Sequence, residues 1–564
     1  MSAPSIETGT RPEGVRSRPG YRLWDRRLNH YPESARRYGY LAIVVLTTVV
    51  LYYQLYVQYS VSTAILAHYQ MTFTYFVGIS VVGNAVGAFA SLFAGLADRW
   101  GRANLTVYGV LVVGLLVTFG VPNASDKTSY ATLIALVSLV EGMILVTTPA
   151  LVRDFSPQLG RATAMGFWTM GPVLGSLVVT MVTSHTYSGS TTWQDEIRYA
   201  GITGLVVFVV ALFGLRELSP RLRDQIMVSL RDRALIEARA KGLDEEALQR
   251  GQWRQMMRLD VVGSAFAISV FLLLYYVAVG SFTVYFATTF GYSLQRTAGL
   301  LNWYWAGDAV ALIVVGILSD RLRVRKPFML VGALGSMVFL TMFALDATRP
   351  GTGYYTFAGT VLGIGVTGGI AFGPWMASFT ETVERHNPAG TATGLAVYGW
   401  INRVVVAVSV ALLPLVVTSV TPLVEHGTQV TVAAKEAAPA LAVIGAHPQL
   451  FAELAKYPTT AQTPPSLLSQ AVQQVGPADL GLVAKAKPQL AVLNEYGASV
   501  QKAAAANPGD WQTWWWVCLG GQLLFVPFIF GMAGRWSPRR AREDYEEHQR
   551  TIAAQLAELT PTAV

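Results

Sequence analysis

The stretch "GLADRWGR" at residues 95–102 is a polar, glycine-containing loop between two long apolar runs, and it decides the fold. A related octet, "GILSDRLR", occupies residues 316–323, about 220 residues further along the chain. Two other stretches recur in the same order at a similar displacement: "LYY" at 51–53 and 274–276, and "GRATAMG" at 160–166 as "GTATGLA" at 390–396. Three ordered matches at nearly constant spacing indicate an internal duplication, with one such loop in each copy.

The composition is that of a membrane protein. The chain has 564 residues, of which 52% are hydrophobic and 13% charged, whereas about a quarter of the residues of a soluble protein are charged. Apolar runs of about 20 residues, long enough to cross a hydrocarbon core of about 30 Å, recur throughout. The single cysteine, Cys518, excludes an internal disulfide, and the seven histidines lack metal-ligand spacing. These features predict an all-α, multi-pass membrane protein with a mean hydropathy of +0.40.

The apolar runs predict twelve transmembrane helices, arranged as two pseudo-symmetric six-helix bundles. We place them at 39–61, 74–97, 105–122, 130–152, 162–184, 199–217, 260–286, 298–318, 327–345, 354–380, 391–418 and 511–533. Basic residues are concentrated in the N-terminal tail, in the connection after the sixth span and in the C-terminal tail. Because cytoplasmic loops carry the excess of Lys and Arg, both termini are predicted to be cytoplasmic and the location to be a plasma (inner) membrane.

The predicted spans divide the chain into seven segments. These are a basic tail (1–38), the first six-helix bundle (39–217), an amphipathic cytoplasmic linker (218–259), the next five helices (260–418), an insert (419–510), the last span (511–534) and a second tail (535–564). The insert is rich in Ala, Pro, Gln and Val, and its prolines suit the first turns of short helices. We therefore predict a small α-helical extracytoplasmic subdomain, which either caps the outer vestibule, contacts a partner or serves only as a spacer.

These features resemble the major facilitator superfamily over roughly residues 38–418 and 511–533. Gly95, Asp98, Arg99, Gly101 and Arg102 match the signature loop between the second and third helices of that family almost completely. Its second copy keeps Asp320 and Arg321 but has Arg323 at the place of a later glycine. The resemblance implies a cytoplasmic gate that favours the state closed to the cytoplasm. A plain membrane anchor would explain the arginines but not the aspartate and the glycines.

Two stretches favour the branch of sugar porters and metabolite:proton symporters. "RELSPRLR", at residues 216–223, is similar to their Pro-Glu-Ser-Pro-Arg element, and "ATGLAVYGWINRVVV" resembles their eleventh helix. In that helix Arg403 fits the usual arginine, whereas Asn402 stands where a glycine is common. The fifth span contains "GFWTMGPVLGS", which is similar to an element of drug:proton antiporters, so efflux remains an alternative.

Three ionisable residues are predicted to lie at one depth of the membrane. Glu141, Asp308 and Arg403 each stand twelve residues from the cytoplasmic edge of their spans, which is roughly 18 Å at about 1.5 Å per residue. Ionisable groups at this depth almost always face a bundle interior or a wet cavity. We predict that Glu141 binds the coupling proton or the substrate. Asp308 and Arg403 either form a structural ion pair or divide the roles of proton acceptor and carboxylate-binding site.

Together these observations predict a proton-coupled secondary active transporter of a small, anionic organic metabolite, working in the uptake direction by symport. Gln54 and the neighbouring Asn402 complete the predicted substrate and proton site. The alternatives are a drug:proton antiporter and a non-transporting scaffold or sensor that binds a partner through 419–510. No catalytic motif, metal site or cofactor is predicted, and the chain is expected to be a non-enzymatic monomer in contact with lipid, driven by the proton gradient.

Overall fold

The computed structural model describes residues 24–90, 100–156, 169–220, 222, 252–387, 391–457 and 462–559. Most of these residues are α-helical. The sheet found among them is a parallel pair of two-residue strands, β1 (Arg27–Leu28) and β2 (Glu217–Leu218). The all-α prediction is therefore confirmed, apart from this short pairing.

The first half of the chain contributes seven helices among the described residues. They are α1 (Ser34–Ser60), α2 (Ser62–Tyr69), α3 (Phe73–Ala90), α4 (Arg102–Leu115), α5 (Lys127–Phe155), α6 (Gly171–Thr186) and α7 (Trp193–Gly214). A π-helical turn, Leu116–Gly120, and a 3-10 turn, Val121–Asn123, extend α4. The apolar surface of each helix is buried against lipid or against a neighbouring helix. Glycines permit close helix crossings, and the backbone of Gly142 lies directly against that of Gly87.

The second half begins with α8 (Gln252–Met256) and a π-helical turn, Leu259–Gly263. The spanning helices follow as α9 (Ser264–Phe271), α10 (Leu273–Gly280), α11 (Phe282–Phe290), α12 (Leu294–Leu322), α13 (Lys326–Asp346), α14 (Tyr354–His386) and α15 (Thr391–Val416). Then come α16 (Val420–Glu436), α17 (Ala438–Ala446), α18 (Pro448–Leu454), α19 (Pro465–Val475), α20 (Pro477–Lys485), α21 (Lys487–Gly531) and α22 (Pro538–Leu559).

Ten of the described helices are long and apolar enough to cross a membrane, and an eleventh span results if the bent pair Leu259–Phe271 and Leu273–Gly280 counts as one. The fifth predicted span, 162–184, is described only from residue 169 onward, as α6. The structure thus supports a polytopic helical protein with ten or eleven candidate spans among the described residues, and the arrangement of twelve helices in two six-helix bundles stays a prediction.

The seventh predicted span, 260–286, is not one straight helix. It is broken at Leu272 and Ser281, and the first break bends the axis by 42°. The second break follows a Gly-Ser pair, Gly280-Ser281, a sequence at which helices commonly kink. Hydrophobic periodicity does not reveal such breaks, because all three pieces are equally apolar.

The last span also differs from the prediction, because α21 runs without interruption from Lys487 to Gly531 rather than beginning at 511. The helix continues through Asn507 and Pro508, where the sequence indicates a turn. The Asn507 side chain donates to Thr289 Oγ1 at 2.9 Å and accepts from Ser419 Oγ at 3.1 Å. These tertiary bonds hold the helix in place at the point where local propensity would end it.

The insert therefore consists of α16 to α20 and the first part of α21. Asp510 accepts a hydrogen bond from the Ser419 backbone N–H at 3.0 Å, which closes the base of the insert. His426 on α16 stacks on Tyr496 of α21, with ring centroids 3.9 Å apart. Besides this packing, α16 contacts α2 and α3 of the first half. We call the side of the molecule that carries 419–510 the insert face, and the opposite side the terminal face.

The two halves share one apolar core at the insert face. That core contains Tyr130 and Trp193 of the first half together with Phe286 and Trp511 of the second. At the terminal face the described residues form two separate cores, one around Phe155 in the first half and the other in the second half. The halves are therefore packed together on the insert side.

The N-terminal segment is docked onto the terminal face by Arg26. Its guanidinium donates to Asn104 Oδ1 at 3.0 Å and to the carbonyl oxygens of Leu212 (2.5 Å) and Leu215 (3.4 Å), at the end of α7. A cation at a helix C-terminus is favourable, because the last carbonyls carry a partial negative charge. Burial lowers the pKa of the Arg26 guanidinium.

Candidate functional site

Glu141 lies on α5 and is buried, with 2% of its surface exposed. Neither of its carboxyl oxygens has a hydrogen-bond partner among the described residues. Burying a charged carboxylate without a donor costs far more than burying the neutral acid. Glu141 is thus a carboxyl group whose surroundings favour the bound proton.

Arg403 approaches the same region from the other half. It lies on α15 and is half-buried. The Tyr52 hydroxyl on α1 is within electrostatic range of both the Arg403 guanidinium and the Glu141 carboxyl. Two of the three predicted midplane charges therefore act on one tyrosine hydroxyl.

Tyr52 belongs to a group of aromatic side chains that we call the tyrosine cluster: Tyr52, Tyr56 and Tyr59 on α1, and Tyr275 and Tyr276 on α10. Neighbouring rings are in contact, with centroids 5.3 Å apart for Tyr52 and Tyr56 and 5.6 Å apart for Tyr275 and Tyr276. The Tyr56 hydroxyl is in electrostatic range of Tyr276 and of Glu141. The cluster therefore spans the interface between the halves, and it offers flat apolar faces and hydroxyl groups to a bound solute.

Asp308 is placed differently. It is buried on α12, and its carboxyl oxygen Oδ1 would lie only 2.7 Å from a Cβ atom at Gly369 on α14. Gly365 and Gly369 of "GIGVTGG", residues 363–369, thus bring α14 against α12 beside the aspartate. The Tyr275 and Tyr304 hydroxyls are in its electrostatic range. The described contacts include no ion pair between Asp308 and Arg403.

The two predicted amides occupy different surroundings. Asn402 Oδ1 accepts a hydrogen bond from the Tyr276 hydroxyl, which ties α15 to the broken seventh span within the second half. Gln54 is buried on α1 against Gly204 of α7, where its Nε2 would lie 2.0 Å from an added Cβ. Gln54 therefore lies inside the first half, whereas Asn402 is joined to the tyrosine cluster.

The first signature loop is described only in part, since Gly95, Asp98 and Arg99 lie outside the described residues. Gly101 precedes α4 with a φ of +95°, a conformation that favours glycine. Glu217 Oε2 accepts from the Arg102 backbone N–H at 2.6 Å and the Ala103 N–H at 3.3 Å, and so caps the helix. The Arg102 side chain pairs with Asp154, at the end of α5, at 2.9 Å. The "RELSP" glutamate and the signature loop are thus in direct contact.

The second copy repeats this arrangement with different residues. Arg325 pairs with Asp320 at 2.7 Å and with Glu381, near the end of α14, at 3.2 Å. Glu381 takes the place that Asp154 has in the first half, so the internal duplication extends to the ion pairs. Arg321 is exposed at the end of α12.

The family model of the Major Facilitator Superfamily matches residues 39–414, which is more than half of the chain. The chain belongs to the Major Facilitator Superfamily. It is accordingly a multi-pass membrane transporter and not an enzyme, as the signature loop predicts. None of the curated proteins matches this transporter.

Solved transporter structures are similar to this chain at low sequence identity, and the two with a TM-score above 0.5 share its fold. A bacterial homologue of the human lysosomal transporter Spinster, inward-facing and unoccupied, is 14% identical, with a TM-score of 0.53 over 90% of this chain and 100% of the other. The occupied, inward-facing form of such a homologue is 13% identical, with a TM-score of 0.51 over 88% and 98%. A D-xylose-proton symporter is 14% identical, with a TM-score of 0.48 over 66% and 96%.

Replacing Gly101 with alanine is expected to destabilise the transporter. An added Cβ would lie 2.4 Å from Glu217 Oε1, and alanine is strained at positive φ. Strain of this kind costs about 1–3 kcal/mol, and the Glu217 cap must also move. Thermal unfolding in detergent measures the loss. Gly520 is the matched control because it lies in α21 with nothing within 4 Å of an added Cβ. Equal stability of the two variants would contradict the cap.

A polar latch joins the halves of the transporter at the insert face. Ser184, in the last turn of α6, accepts through its carbonyl from Gln295 Nε2 at 3.2 Å and through its hydroxyl from Asn302 Nδ2 at 3.0 Å. Both partners lie on α12 of the second half. This latch, like the shared core, stabilises the state in which the insert face is closed.

Substitution of Asn302 by alanine is expected to open the insert face more often. One lost hydrogen bond of about 1 kcal/mol corresponds to about a fivefold shift in population. We expect faster labelling of a cysteine placed at Thr180, in the pocket between the halves, by a membrane-impermeant thiol reagent. The native Cys518 is fully buried and should not react with the reagent. Asn494→Ala on the exposed insert surface is the control, and unchanged labelling in Asn302→Ala would exclude a latch.

Two features of the site were missed from the sequence. The latch depends on Ser184, a residue in the last turn of α6 that no motif marks. Glu196, in the first turn of α7, is fully buried, although beside Asp195 it reads as part of an ordinary helix cap. Asp195 and Glu196 differ in burial because α6 packs against the side of α7 that carries Glu196.

Proposed function

We propose that the protein is a proton-coupled secondary active transporter that takes up a small organic anion by symport. Two six-helix halves would alternate access to a site between them, in a plasma membrane with both termini in the cytoplasm. The protein would act as a monomer surrounded by lipid, with the proton gradient as its energy source and no cofactor. The insert would face the outside, where a partner could reach it.

The observation that carries this proposal is the state of Glu141, which is buried in a membrane-spanning helix without a donor for either carboxyl oxygen among the described residues. A carboxyl group in such surroundings costs free energy unless it is neutral, and it is retained where protons are bound and released. An apolar packing position would carry an aliphatic side chain instead.

Arg403 is the proposed binding group for the anionic solute. A half-buried guanidinium beside a cluster of tyrosines can hold a carboxylate with two parallel hydrogen bonds. Because Tyr52 is within range of both charged groups, the binding of a proton at Glu141 and of an anion at Arg403 would influence each other. Asp308, beside Gly369, is the second proton acceptor in this proposal.

The experiment that tests the proposal uses purified protein in proteoliposomes, screened against organic acids, sugars and cationic drugs. With an inside-alkaline gradient we expect an organic acid to accumulate inside, and a protonophore to abolish the accumulation. Accumulation of a cationic drug driven by the opposite gradient would establish antiport instead. Absence of flux for all three classes, in protein that binds none of them by thermal shift, would reject transport of a small organic solute by this site.

A further inference from the structure

Glu196 is a second buried carboxyl group, near the insert face, that the proposed mechanism does not use. It is fully buried and accepts hydrogen bonds from Thr186 Oγ1 at 2.5 Å and from Thr183 Oγ1 at 3.3 Å. No cation among the described residues is within ion-pair distance of it. Arg198, on the same helix, pairs with Asp195 instead. Glu196 thus has two neutral donors but no countercharge.

The position of Glu196 suits reversible proton binding. Burial opposes the charged form, whereas the two hydroxyl donors and the N-terminal turn of α7 favour it. The other titratable groups around it are Tyr53 on α1, Tyr187 after α6 and the adjacent Asp195. None of these is a cation, so the protonation of Glu196 is not fixed by a neighbouring positive charge.

A row of hydroxyl groups leads from Glu196 toward the interface of the halves. Ser60 Oγ donates to Thr183 Oγ1 at 2.8 Å, and Thr183 Oγ1 donates to Glu196. Ser60 also lines a pocket between the halves, and its other walls come from Tyr56 on α1, α6, α10 to α12 and Trp305. Hydroxyl groups both donate and accept, so such a row can pass a proton.

The pocket continues the row toward the midplane. Ser176 lines it with a buried hydroxyl that has no partner among the described residues, so the pocket wall offers a hydrogen-bonding group to a water molecule. Tyr56 lines the same pocket, and its hydroxyl is in electrostatic range of Glu141. The hydrogen-bonded row therefore runs from Glu196 to the pocket, and Tyr56 in the pocket wall is the group within electrostatic range of Glu141.

The other end of this sequence reaches the surface. Thr186, which donates to Glu196, is half-buried, and residues 188–190 after it are exposed on the insert face. A proton from the insert side needs to pass only this last turn of α6 to reach the Glu196 carboxylate.

We propose that Glu196 is a proton-binding site that loads from the insert face and delivers the proton to the pocket on the way to Glu141. The acid proton of Glu196 passes to Thr183 Oγ1 while the hydrogen of Thr183 passes to Ser60, and the hydrogen of Ser60 enters the pocket. Glu196 is left as the carboxylate, and the hydroxyl groups rotate back before the next proton binds. This inference rests on the proposed proton-coupled transport, and it assigns the route by which the proton arrives.

Infrared difference spectroscopy of the reconstituted protein during a pH titration tests the site without a transported solute. We expect acidification to produce a protonated-carboxyl band that is absent in Glu196→Gln and present in Asp195→Asn, the half-buried neighbour that pairs with Arg198. A second band should be absent in Glu141→Gln. If Glu196→Gln is folded and retains every carboxyl band, the inference is overturned. If only the Glu141 band is missing from the wild type, the proposed function fails while the Glu196 site stands.

Thr183→Val separates a relay from a structural bond and also serves if Glu196→Gln does not fold. Valine keeps the shape of threonine but removes the hydroxyl. The Glu196 band should shift in frequency but remain. Uncoupler-independent proton uptake into proteoliposomes, followed with a trapped pH dye, should fall at least about tenfold, since a positioned transfer group contributes about 10²–10⁴-fold. An unshifted band, or unchanged uptake, would overturn the relay.

Discussion

Replacement of Glu141 by glutamine is expected to abolish uphill accumulation of solute while leaving the protein folded. Glutamine has the size of the protonated acid but cannot release a proton, so the solute would equilibrate instead of accumulating. Because no described side chain donates to Glu141, the substitution removes no hydrogen bond from those residues. We therefore expect the variant to unfold no earlier than the wild type, since an amide avoids the cost of burying a charge.

The measurement is solute uptake into proteoliposomes across a series of imposed pH gradients. Wild-type uptake should rise with the gradient, and uptake by Glu141→Gln should not depend on it. Glu453→Gln is the matched control, because Glu453 lies on the exposed insert in a surface ion pair with Lys456 that contributes at most about 1 kcal/mol. Retained gradient-dependent accumulation in Glu141→Gln would assign the coupling proton to another group, and Asp308 would be examined next.

Much of the fold could be predicted because it repeats. The two loop octets identify equivalent regions of the halves, and the structure places an ion pair at the first octet, Arg102 with Asp154, and another two residues after the second, Arg325 with Glu381. The residues differ in detail, but each pair joins the start of one helix to the end of another. Apolar runs and basic segments then suffice to place the other spans, because a membrane restricts helices to one length scale.

The helix boundaries that were predicted wrongly are those set by tertiary contacts. The breaks at Leu272 and Ser281 occur in an unbroken apolar run, and the junction at Asn507 and Pro508 reads as a turn although the helix continues. In the second case the side chain of Asn507 is bonded to Ser419, which is far away in sequence. Local propensity cannot anticipate such a partner.

For the candidate site, the sequence gives the depth of a residue in the membrane but not its direction around the helix. Depth alone indicates Glu141 and Arg403, and the structure brings both within electrostatic range of the Tyr52 hydroxyl. Gln54 lies two residues from both Tyr52 and Tyr56, which is about half a turn around α1, and it packs against Gly204 inside the first half. The direction of a side chain depends on how the helices rotate against one another, and that follows from packing of the whole bundle.

Replacement of Arg403 by alanine is expected to weaken the binding of an anionic solute by about thirtyfold, since removing one partner of a desolvated charge pair costs at least about 2 kcal/mol. The anion affinity of Arg403→Lys should lie between those of the wild type and Arg403→Ala, because lysine keeps the charge but loses the planar pair of donors. The exposed Arg349→Ala, at the insert face, is the control. Thermal-shift affinities for the organic acid and for its neutral amide would show whether the loss is specific to the charge. An equal loss for both would indicate a packing defect.

A double-mutant cycle extends this experiment to coupling. Glu141 and Arg403 both act on the Tyr52 hydroxyl, so the effects of Glu141→Gln and Arg403→Ala on anion affinity should not be additive, as expected for neighbouring groups that share a partner. We expect the loss caused by Arg403→Ala to depend on pH in the wild-type background and not in the Glu141→Gln background. Additive losses at every pH would mean that proton and anion bind independently, and the coupling would then require a route that bypasses Tyr52.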